Sequence, residues 1–229
     1  MTRAYGLTPA NTDELREFYD QEFKKGIIKD EDRAYAWMAQ TLFKPYLAQR
    51  KVLDVGCGGG FFLSELRKIA GDASGIDLSG EALRIAEKLN PKSILAQGSA
   101  EDLPYKNETF DCVFCLGSLE HFLNIPQALK EMARVTRKNG WIFLMVPNLF
   151  WYKDILSVLK NGGIGERNQL YEFFATPVQW QQIIETSGLR VEKRWKYNGI
   201  SKSRVKQWFK DVLIPFNLSY HMIFGCRAK

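Results

Sequence analysis

The spacing of apolar residues along the chain changes at residue 51. Before this point, residues 12–24 and 30–47 carry apolar side chains at helical intervals, with Gly26 between them, which predicts two helices. After it, short apolar runs alternate with helical stretches. The runs predict strands and the stretches predict helices, in the order strand 51–55, helix 60–70, strand 73–77, helix 79–89, strands 93–96 and 110–116, helix 126–137 and strand 140–146. Such alternation is typical of a parallel sheet with helices packed against it.

The alternation stops after the strand that ends at residue 146. Residues 149–174 are rich in aromatic side chains and contain a helical segment at 154–159 and a glycine-rich stretch, Asn161-Gly-Gly-Ile-Gly165. Because this segment fits neither a strand nor a core helix as a whole, we interpret it as an insertion that caps a pocket.

The last part of the chain predicts one helix and two strands. The helix opens at Thr176-Pro177, an N-cap followed by a proline at the first helical position, and ends at Gly188. Strands follow at 189–197 and 219–227. A parallel connection between them requires a crossover helix at 202–212, so an antiparallel closing pair is the simpler expectation. The seven predicted strands therefore form a mostly parallel sheet with an antiparallel last strand.

Length and composition favour a single folded domain. The 229 residues suffice for one core, and hydrophobic and charged fractions of 45% and 25% exclude a disordered or fibrous chain. No apolar run approaches the roughly 20 residues of a membrane span, and the first residues lack the apolar core of a signal peptide, so we expect a cytoplasmic protein. We divide the domain into a helical cap at 1–49, a ligand-binding core at 50–147, a lid insertion at 148–175 and the C-terminal part of the sheet at 176–229.

Positive charge is concentrated near the C-terminus. Residues 190–229 hold ten Lys or Arg against two acidic residues, 10 − 2 = +8, so the rest of the chain carries −2 of the net +6. Trp208 and Phe209 lie among these basic residues, and residues 201–216 mix basic and apolar groups as an interfacial helix does. An anionic membrane surface, a nucleic acid or an acidic substrate fits this composition, and so does a solvated face that keeps the protein in solution.

The four cysteines do not predict a metal or redox site. Cys57 lies in a glycine-rich turn, and Cys112, Cys115 and Cys226 lie in apolar strands. Residues three apart in a strand point to opposite faces, so Cys112 and Cys115 cannot share a metal ion. We expect reduced core thiols and no metal.

The candidate chemistry begins where the first parallel strand meets its helix. Gly56, Gly58 and Gly60 allow positive φ angles or close approach of a ligand to the backbone, and the following helix offers free N–H groups. Asp54, within the preceding strand, orients this turn or receives a cationic group of the ligand. Asp77 ends the next strand and can accept both ribose hydroxyls of a nucleoside. The glycines alone are also compatible with a dinucleotide-binding dehydrogenase.

The wider set of motifs resembles one family. In chain order they are Asp54-Val-Gly-Cys-Gly-Gly-Gly60, Gly75-Ile-Asp-Leu-Ser79, Gly98-Ser-Ala-Glu-Asp-Leu-Pro-Tyr105, Phe110-Asp-Cys-Val-Phe114, Leu119-Glu-His121 and Ala128-Leu-Lys-Glu-Met-Ala-Arg-Val135. They are similar to the ordered motifs of class I S-adenosylmethionine-dependent methyltransferases, and most similar to the small-molecule branch that includes ubiquinone and menaquinone biosynthesis enzymes. The resemblance covers about residues 50–147 and implies an α/β fold with a Rossmann-like, doubly wound sheet.

The resemblance also implies which residues bind the cofactor S-adenosylmethionine. The methionine part would lie against the glycine turn and Asp54, the ribose on Asp77, and the adenine between Leu78 and residues 99–101. Ser99 stands where an Asp is frequent in the family, which shifts adenine recognition towards its neighbours. The cofactor residues implied in this way are Asp54, Gly56, Cys57, Gly58, Gly60, Asp77, Leu78, Ser99, Ala100, Glu101, Leu116 and Gly117.

The candidate residues for activating the methyl acceptor are the pair Glu120-His121, which follows the fourth strand. A histidine can accept a proton at neutral pH, so His121 is the candidate general base, and Glu120 either orients it or binds a substrate. Alternatively, the pair only caps the following segment. Aromatic residues outside the sheet either line an acceptor pocket or belong to the core, and these are Tyr19, Phe23, Trp37, Trp151, Tyr152, Tyr171 and Phe174.

We therefore expect methyl transfer to a small, partly apolar acceptor, with oxygen as the expected methylated atom. Methylation of RNA or protein through the basic C-terminal region is an alternative, but the chain has no Asn-Pro-Pro-Tyr-like motif and no RNA-binding appendage, which disfavours a nucleic-acid partner. A non-catalytic cofactor-binding module, or a subunit in peripheral contact with an anionic membrane, is the other alternative. A nicotinamide-dependent oxidoreductase fits less well, because Glu120-His121 and the antiparallel end do not belong to that pattern.

Overall fold

A computed structural model describes residues 3–6, 11–26, 32–163, 171–201 and 203–229. The strands are, in chain order, β1 (Arg3–Gly6), β2 (Lys51–Val55), β3 (Asp72–Asp77), β4 (Ile94–Gln97), β5 (Phe110–Leu116), β6 (Thr136–Pro147), β7 (Tyr171–Phe174), β8 (Leu189–Tyr197) and β9 (His221–Ala228). The α-helices are α1 (Thr12–Lys24), α2 (Asp32–Trp37), α3 (Lys44–Leu47), α4 (Phe61–Arg67), α5 (Gly80–Leu89), α6 (Ile125–Val135), α7 (Tyr152–Asn161), α8 (Pro177–Thr186) and α9 (Arg204–Leu213). A π-helix at Met38–Phe43 joins α2 to α3, and short 3₁₀ helices lie at Leu119–His121 and Phe216–Leu218.

The central sheet has seven strands in the order β4-β3-β2-β5-β6-β9-β8. The first five of these pair in parallel, whereas β9 pairs antiparallel with both β6 and β8. The predicted seven-stranded, mostly parallel sheet with an antiparallel last strand is confirmed. Because β8 runs parallel to β6, six strands of the central sheet have their carboxyl ends along one edge, and β9 alone runs the other way.

Helices cover both faces of the sheet, as its alternating apolar residues require. Val52 packs on one face, and Leu53 and Val55 pack on the other. On the first face the ring of Phe43 lies 5.1 Å from Phe114, centroid to centroid, so the π-helix is tied to β5. This packing fixes the position of the N-terminal helices relative to the strand ends.

The opposite face is closed by α6 and α8. Leu129 and Met132 of α6 are fully buried against it, and Trp180 of α8 joins them. The indole N–H of Trp180 donates to the carbonyl of Pro147 at 3.0 Å. The carboxyl end of β6 is therefore held by both apolar packing and a buried hydrogen bond.

The boundary between α6 and β6 differs from the prediction. The sequence suggests that Asn139-Gly140 ends the helix, but α6 ends at Val135 and β6 begins at Thr136. Thr136 is β-branched and pairs with Phe110 of β5, while its hydroxyl donates to the carbonyl of Met132 at 2.6 Å. Asn139 has a φ of 63° inside the irregular start of the strand. Sheet pairing outweighs the turn signal of the Asn-Gly pair here.

The predicted helix at 30–47 is interrupted. Its first two residues lie outside the described part of the chain, and α2, the π-helix and α3 follow one another from Asp32 to Leu47. Pro45 in α3 has no N–H group and cannot continue the hydrogen-bonding pattern of a regular α-helix, and the π-helix directly precedes α3. The prediction identified the helical segment but not this irregularity.

The predicted insertion contains a strand that the sequence pattern did not indicate. Besides α7, it contributes β7, which pairs antiparallel with β1 in a separate two-stranded sheet. Residues 164–170, which include the end of the predicted glycine-rich stretch, lie outside the described part of the chain. No helix in the described ranges is both long and apolar enough to cross a membrane.

Candidate functional site

A cavity of about 200 Å³ opens at the carboxyl ends of β2, β3 and β5. These strands are neighbours in the sheet, so the loops that follow them meet at one place. Every cofactor residue implied by the resemblance except Gly60 lines the cavity, namely Asp54, Gly56, Cys57, Gly58, Asp77, Leu78, Ser99, Ala100, Glu101, Leu116 and Gly117. The cavity also receives Tyr19, Phe23 and His121.

The glycine turn is held in shape by its neighbours in the sheet. The N–H groups of Gly56 and Cys57 both donate to the carbonyl of Ile76, at 2.8 and 3.0 Å. Gly56 has a φ of 70°, and a Cβ atom there would lie 2.6 Å from the side chain of Ser118. Ser118 in turn donates its hydroxyl to the Gly56 carbonyl at 3.1 Å. A side chain at position 56 is therefore excluded by both conformation and space.

Gly60 has a structural position behind the cavity. It has a φ of 79°, and a Cβ atom there would lie 2.6 Å from Nδ2 of Asn90. That amide donates to the Gly60 carbonyl at 2.8 Å. Gly60 thus allows α4 to begin close to the end of α5.

Asp77 joins the turn to the end of β3. Its Oδ2 accepts from the N–H of Gly58 and its Oδ1 from the N–H of Ser79, both at 2.8 Å. Removal from water raises the pKa of this carboxyl, against the effect of these N–H donors. The carboxylate therefore lies in the cavity wall with its orientation fixed, where the hydroxyls of a sugar can reach it.

The segment after β4 forms a further part of the cavity wall. The Ser99 hydroxyl oxygen accepts from the N–H of Glu101 at 3.1 Å, which leaves its own O–H available to donate. Glu101 accepts the N–H of Asn124 at 2.8 Å and so fixes this segment to the start of α6. Leu78 lines the cavity as well, and its carbonyl accepts from Gln97 at 3.1 Å. Leu78 and this segment thus line the same cavity.

His121 lies in the 3₁₀ helix that follows β5. Its Nδ1 lies 2.6 Å from the carbonyl oxygen of Tyr171. Burial lowers the pKa of the ring, so the imidazole is neutral at neutral pH. Since a carbonyl can only accept, Nδ1 carries the proton in this neutral ring and Nε2 keeps its lone pair. The ring is therefore held in one orientation by the Tyr171 carbonyl.

The comparisons with known proteins agree with this geometry. Residues 53–144 match the family model described as a methyltransferase domain. The chain is 31% identical over 172 residues to the ubiquinone biosynthesis O-methyltransferase of Thiobacillus denitrificans, covering 68% of this chain and 72% of that protein. It is 32% identical over 207 residues to an uncharacterised protein of Methanocaldococcus jannaschii, covering 86% of this chain and 77% of that protein.

Solved structures share the fold. An S-adenosylmethionine-dependent methyltransferase of Thermotoga maritima superposes with a TM-score of 0.68 at 19% identity, over 96% of this chain and 100% of that chain. One of Mesorhizobium loti gives 0.66 at 14% identity, over 86% and 99%.

The chain belongs to the class I S-adenosylmethionine-dependent methyltransferases. Its cofactor is S-adenosylmethionine, and the residues present fit this molecule. Asp77 is fixed at the end of β3, and Gly56 and Gly58 have positive φ angles and no side chains. The described part of the chain offers no partner to the buried hydroxyl of Tyr19 in the cavity wall. A polar ligand group supplies such a partner.

Helix α1 forms one side of the methyltransferase cavity. Tyr19 and Phe23 face the cavity, and burial together with the charge of Glu120 raises the pKa of the Tyr19 hydroxyl. Between them in the sequence, Asp20 accepts the hydroxyl of Ser79 at 2.5 Å and the N–H of Glu81 at 3.2 Å. An acidic side chain from α1 thus binds the N-terminus of α5 and holds α1 over the cavity.

Glu120 lies beside His121 but does not line the cavity. The carboxyl is buried, and its Oε2 has no hydrogen-bond partner among the described residues. Burial, with a smaller contribution from the charge of Glu172, raises its pKa to about 8. The ring of His121 is oriented through the Tyr171 carbonyl instead. Glu120 is therefore a largely protonated carboxyl next to His121 at neutral pH.

The remaining aromatic candidates lie outside the cavity of the methyltransferase. Trp37 stacks on Tyr197, with ring centroids 6.1 Å apart, and Phe174 is buried in the core. Trp151 packs against Tyr220 at 4.5 Å, and Tyr152 lies edge-on to Trp151 at 6.2 Å. Tyr171 reaches the site through its backbone carbonyl. The structure thus brings two of the seven predicted aromatic side chains, Tyr19 and Phe23, to the cavity.

Two contributors to the site were missed in the sequence. Asp20 resembles any exposed acid of an amphipathic helix. The Tyr171 carbonyl leaves no trace in the residue type, since every residue has one. Ser118 was not missed, because the family resemblance implies that it borders the site after the fourth strand together with Leu116 and Gly117, and it lines the cavity.

Proposed function

We propose that this methyltransferase methylates an oxygen atom of a small, partly apolar acceptor, with His121 as the general base. The observation that carries the proposal is a neutral imidazole in the cavity wall whose Nδ1 is fixed on a backbone carbonyl. The apolar side chains of Leu15, Phe122 and Leu123 also line the cavity, which suits an acceptor with an apolar part. The relative from Thiobacillus denitrificans is named as an O-methyltransferase, which supports oxygen as the methylated atom.

Different residues of the cavity would bind different parts of the cofactor. Asp77 and Leu78 would hold the nucleoside, residues 99–101 the edge of the adenine, and Asp54 with the glycine turn the methionine part. When bound, S-adenosylmethionine supplies a methyl group on a positively charged sulfur, which leaves as a neutral thioether. His121 accepts the hydroxyl proton of the acceptor at Nε2, so that the oxygen becomes a stronger nucleophile as the new bond forms. The apolar side chains that line the cavity would limit the access of water to this step.

The experiment measures formation of S-adenosylhomocysteine with a panel of small phenols and catechols, and with amines of similar size. We expect turnover with hydroxyl acceptors and a loss of about 100-fold or more in kcat/KM in His121→Gln, the range typical of a general base. Because the protonated ring cannot act as a base and burial lowers its pKa, the acid limb of the wild-type profile should lie below pH 6.5.

His221 provides the matched control. It is the other histidine of the chain and lies at the start of β9, outside the cavity. His221→Gln should keep the acid limb. Turnover restricted to amines, to RNA or to protein would contradict the proposal, as would an unchanged pH profile in His121→Gln.

A further inference from the structure

Helix α9 presents an apolar face to solvent. Val205, Trp208, Phe209 and Val212 follow the i, i+3, i+4, i+7 spacing that places side chains on one side of a helix, and each is about half exposed or more, from 48% for Phe209 to 65% for Val205. Leu213 continues the same face. Soluble helices usually turn such a stripe towards the core. Here it points away from the protein.

The polar side of α9 is the side that is fixed to the protein. Gln207 accepts the N–H of Ser201 at 2.7 Å, and the carbonyl of Lys210 accepts from the side chain of Asn198 at 3.1 Å. At the end of the helix, Lys196 donates to the carbonyl of Ile214 at 2.7 Å. These bonds attach α9 by its polar groups and fix the outward direction of the apolar stripe.

Helix α7 has a similar exposed surface at the same edge of the sheet. Leu156 and Leu159 are exposed, and no residue of the helix is buried. α7 follows the carboxyl end of β6 and α9 follows that of β8, the edge at which the cavity opens. Trp151, just before α7, packs on Tyr220, just before β9, so the two connections meet.

The net charge of α7 and α9 indicates which kind of partner covers their exposed faces. The α9 sequence carries Arg204, Lys206 and Lys210 against Asp211, a balance of 3 − 1 = +2, and α7 carries Lys153 and Lys160 against Asp154, 2 − 1 = +1. A two-fold contact between identical copies brings the same patch against itself and thus opposes these like charges. An anionic surface is attracted by them.

We propose that the exposed faces of α7 and α9 bind an anionic lipid bilayer peripherally, with the α9 stripe at the boundary between headgroups and acyl chains. Trp208 and Phe209 would enter this boundary region, and the exposed Lys206 would lie at headgroup level. The cavity then opens towards the bilayer surface, from which an apolar acceptor can be taken. The proposal goes beyond methyl transfer and holds or fails independently of it.

The experiment is flotation of the full chain with vesicles of phosphatidylcholine, with and without phosphatidylglycerol. We expect the wild-type protein to float with the anionic vesicles at low salt and to dissociate as salt rises, because headgroup attraction is screened. The double variant Trp208→Ser/Phe209→Ser should bind at least tenfold more weakly. Both side chains are exposed, so the fold should tolerate the change.

Ile94→Ser is the matched control, because Ile94 is 60% exposed at the amino end of β4, far along the sheet from α9. It should float like the wild type. Calorimetric titration with S-adenosylhomocysteine without vesicles separates the two proposals, since the double variant should bind as the wild type does. The membrane proposal is overturned if the wild type stays unbound at low salt, if the double variant floats equally well, or if the chain is a dimer that the double variant dissociates.

Discussion

At the scale of single residues, two buried glutamates show how environment sets charge. Hydrogen bonds from Arg134, at 2.8 and 2.6 Å, and an N–H from Leu103 at 2.9 Å hold the pKa of Glu131 below its ordinary value. Glu120 has no such cation, and burial raises its pKa to about 8. Glu131 thus fixes the loop after β4 to α6 as an anion, whereas Glu120 is most stable when protonated.

Glu120→Gln should stabilise the protein at alkaline pH. The folded-state pKa of Glu120 lies above its unfolded value of 4.5, so its contribution to stability is complete below that value and is lost as pH rises through about 8. Glutamine cannot ionise and avoids this loss. We expect the Tm difference between the variant and the wild type to grow by a few degrees from pH 5 to pH 8.5, measured by scanning calorimetry. A constant difference across this range would show that Glu120 does not titrate in the fold.

Glu131→Gln provides the opposite control for this experiment. Its folded-state pKa is lowered, so its contribution is present above the unfolded pKa and is lost as pH falls. This variant should be less stable than the wild type at pH 8, and the difference should shrink towards pH 4.

Some residues of the site can be predicted from the sequence, and others cannot. The location of Asp77 and His121 at the cavity could be predicted because each lies at or just after the end of a strand and has a side chain with distinctive chemistry. The contact that orients His121 could not be predicted, because it comes from a backbone carbonyl of β7. The aromatic residues could not be divided into core and pocket residues, because their spacing is the same in both cases.

At the scale of elements, α1 is the helix that completes the cavity. Asn11 caps its start by accepting the N–H of Glu14 at 2.9 Å, and Asp20 attaches it to α5 through Ser79 and Glu81. The N-terminal end of α5 is electropositive and favours this carboxylate. The position of α1, and with it that of Tyr19, therefore depends on this charged contact, to which Lys24 adds an ion pair with Glu81 at 3.4 Å.

Asp20→Asn should loosen α1 and weaken ligand binding. The variant keeps the shape of the side chain but removes its charge, and hydrogen bonds to charged groups contribute about 1.5–3 kcal/mol. We expect about tenfold weaker binding of S-adenosylhomocysteine by calorimetry and faster amide exchange in Thr12–Lys24, with little change elsewhere. Glu17→Gln, an exposed change on the same helix, should alter neither. Faster exchange with unchanged affinity would show that α1 does not contribute to the ligand site.

At the scale of the whole molecule, the sheet could be predicted because each strand has an apolar pattern of its own. The pairing of β1 with β7 could not, since each has four residues and they lie far apart in the sequence, with only tertiary contacts to bring them together. Closure of the segment 148–175 over the acceptor stays a prediction, although β7 already reaches His121.

The strongest test at this scale measures how much a bound ligand raises the stability of the whole molecule. A ligand that binds only the folded state at a hundredfold excess over its Kd stabilises by about 2.7 kcal/mol. For a chain of 229 residues this corresponds to a Tm rise of about 5–10 °C. S-adenosylhomocysteine should produce this rise in the wild type, measured by differential scanning fluorimetry.

Two aspartates of β3 make the test specific. Asp77→Asn removes the carboxylate at the cavity while keeping an oxygen that can still accept from the glycine turn, so it should lose most of the ligand-induced rise whatever its own Tm. Asp72→Asn, exposed at the other end of the same strand, should keep the rise in full. An equal rise in both variants would place the ligand away from the carboxyl end of β3, because only there does the strand meet the glycine turn and the start of α5.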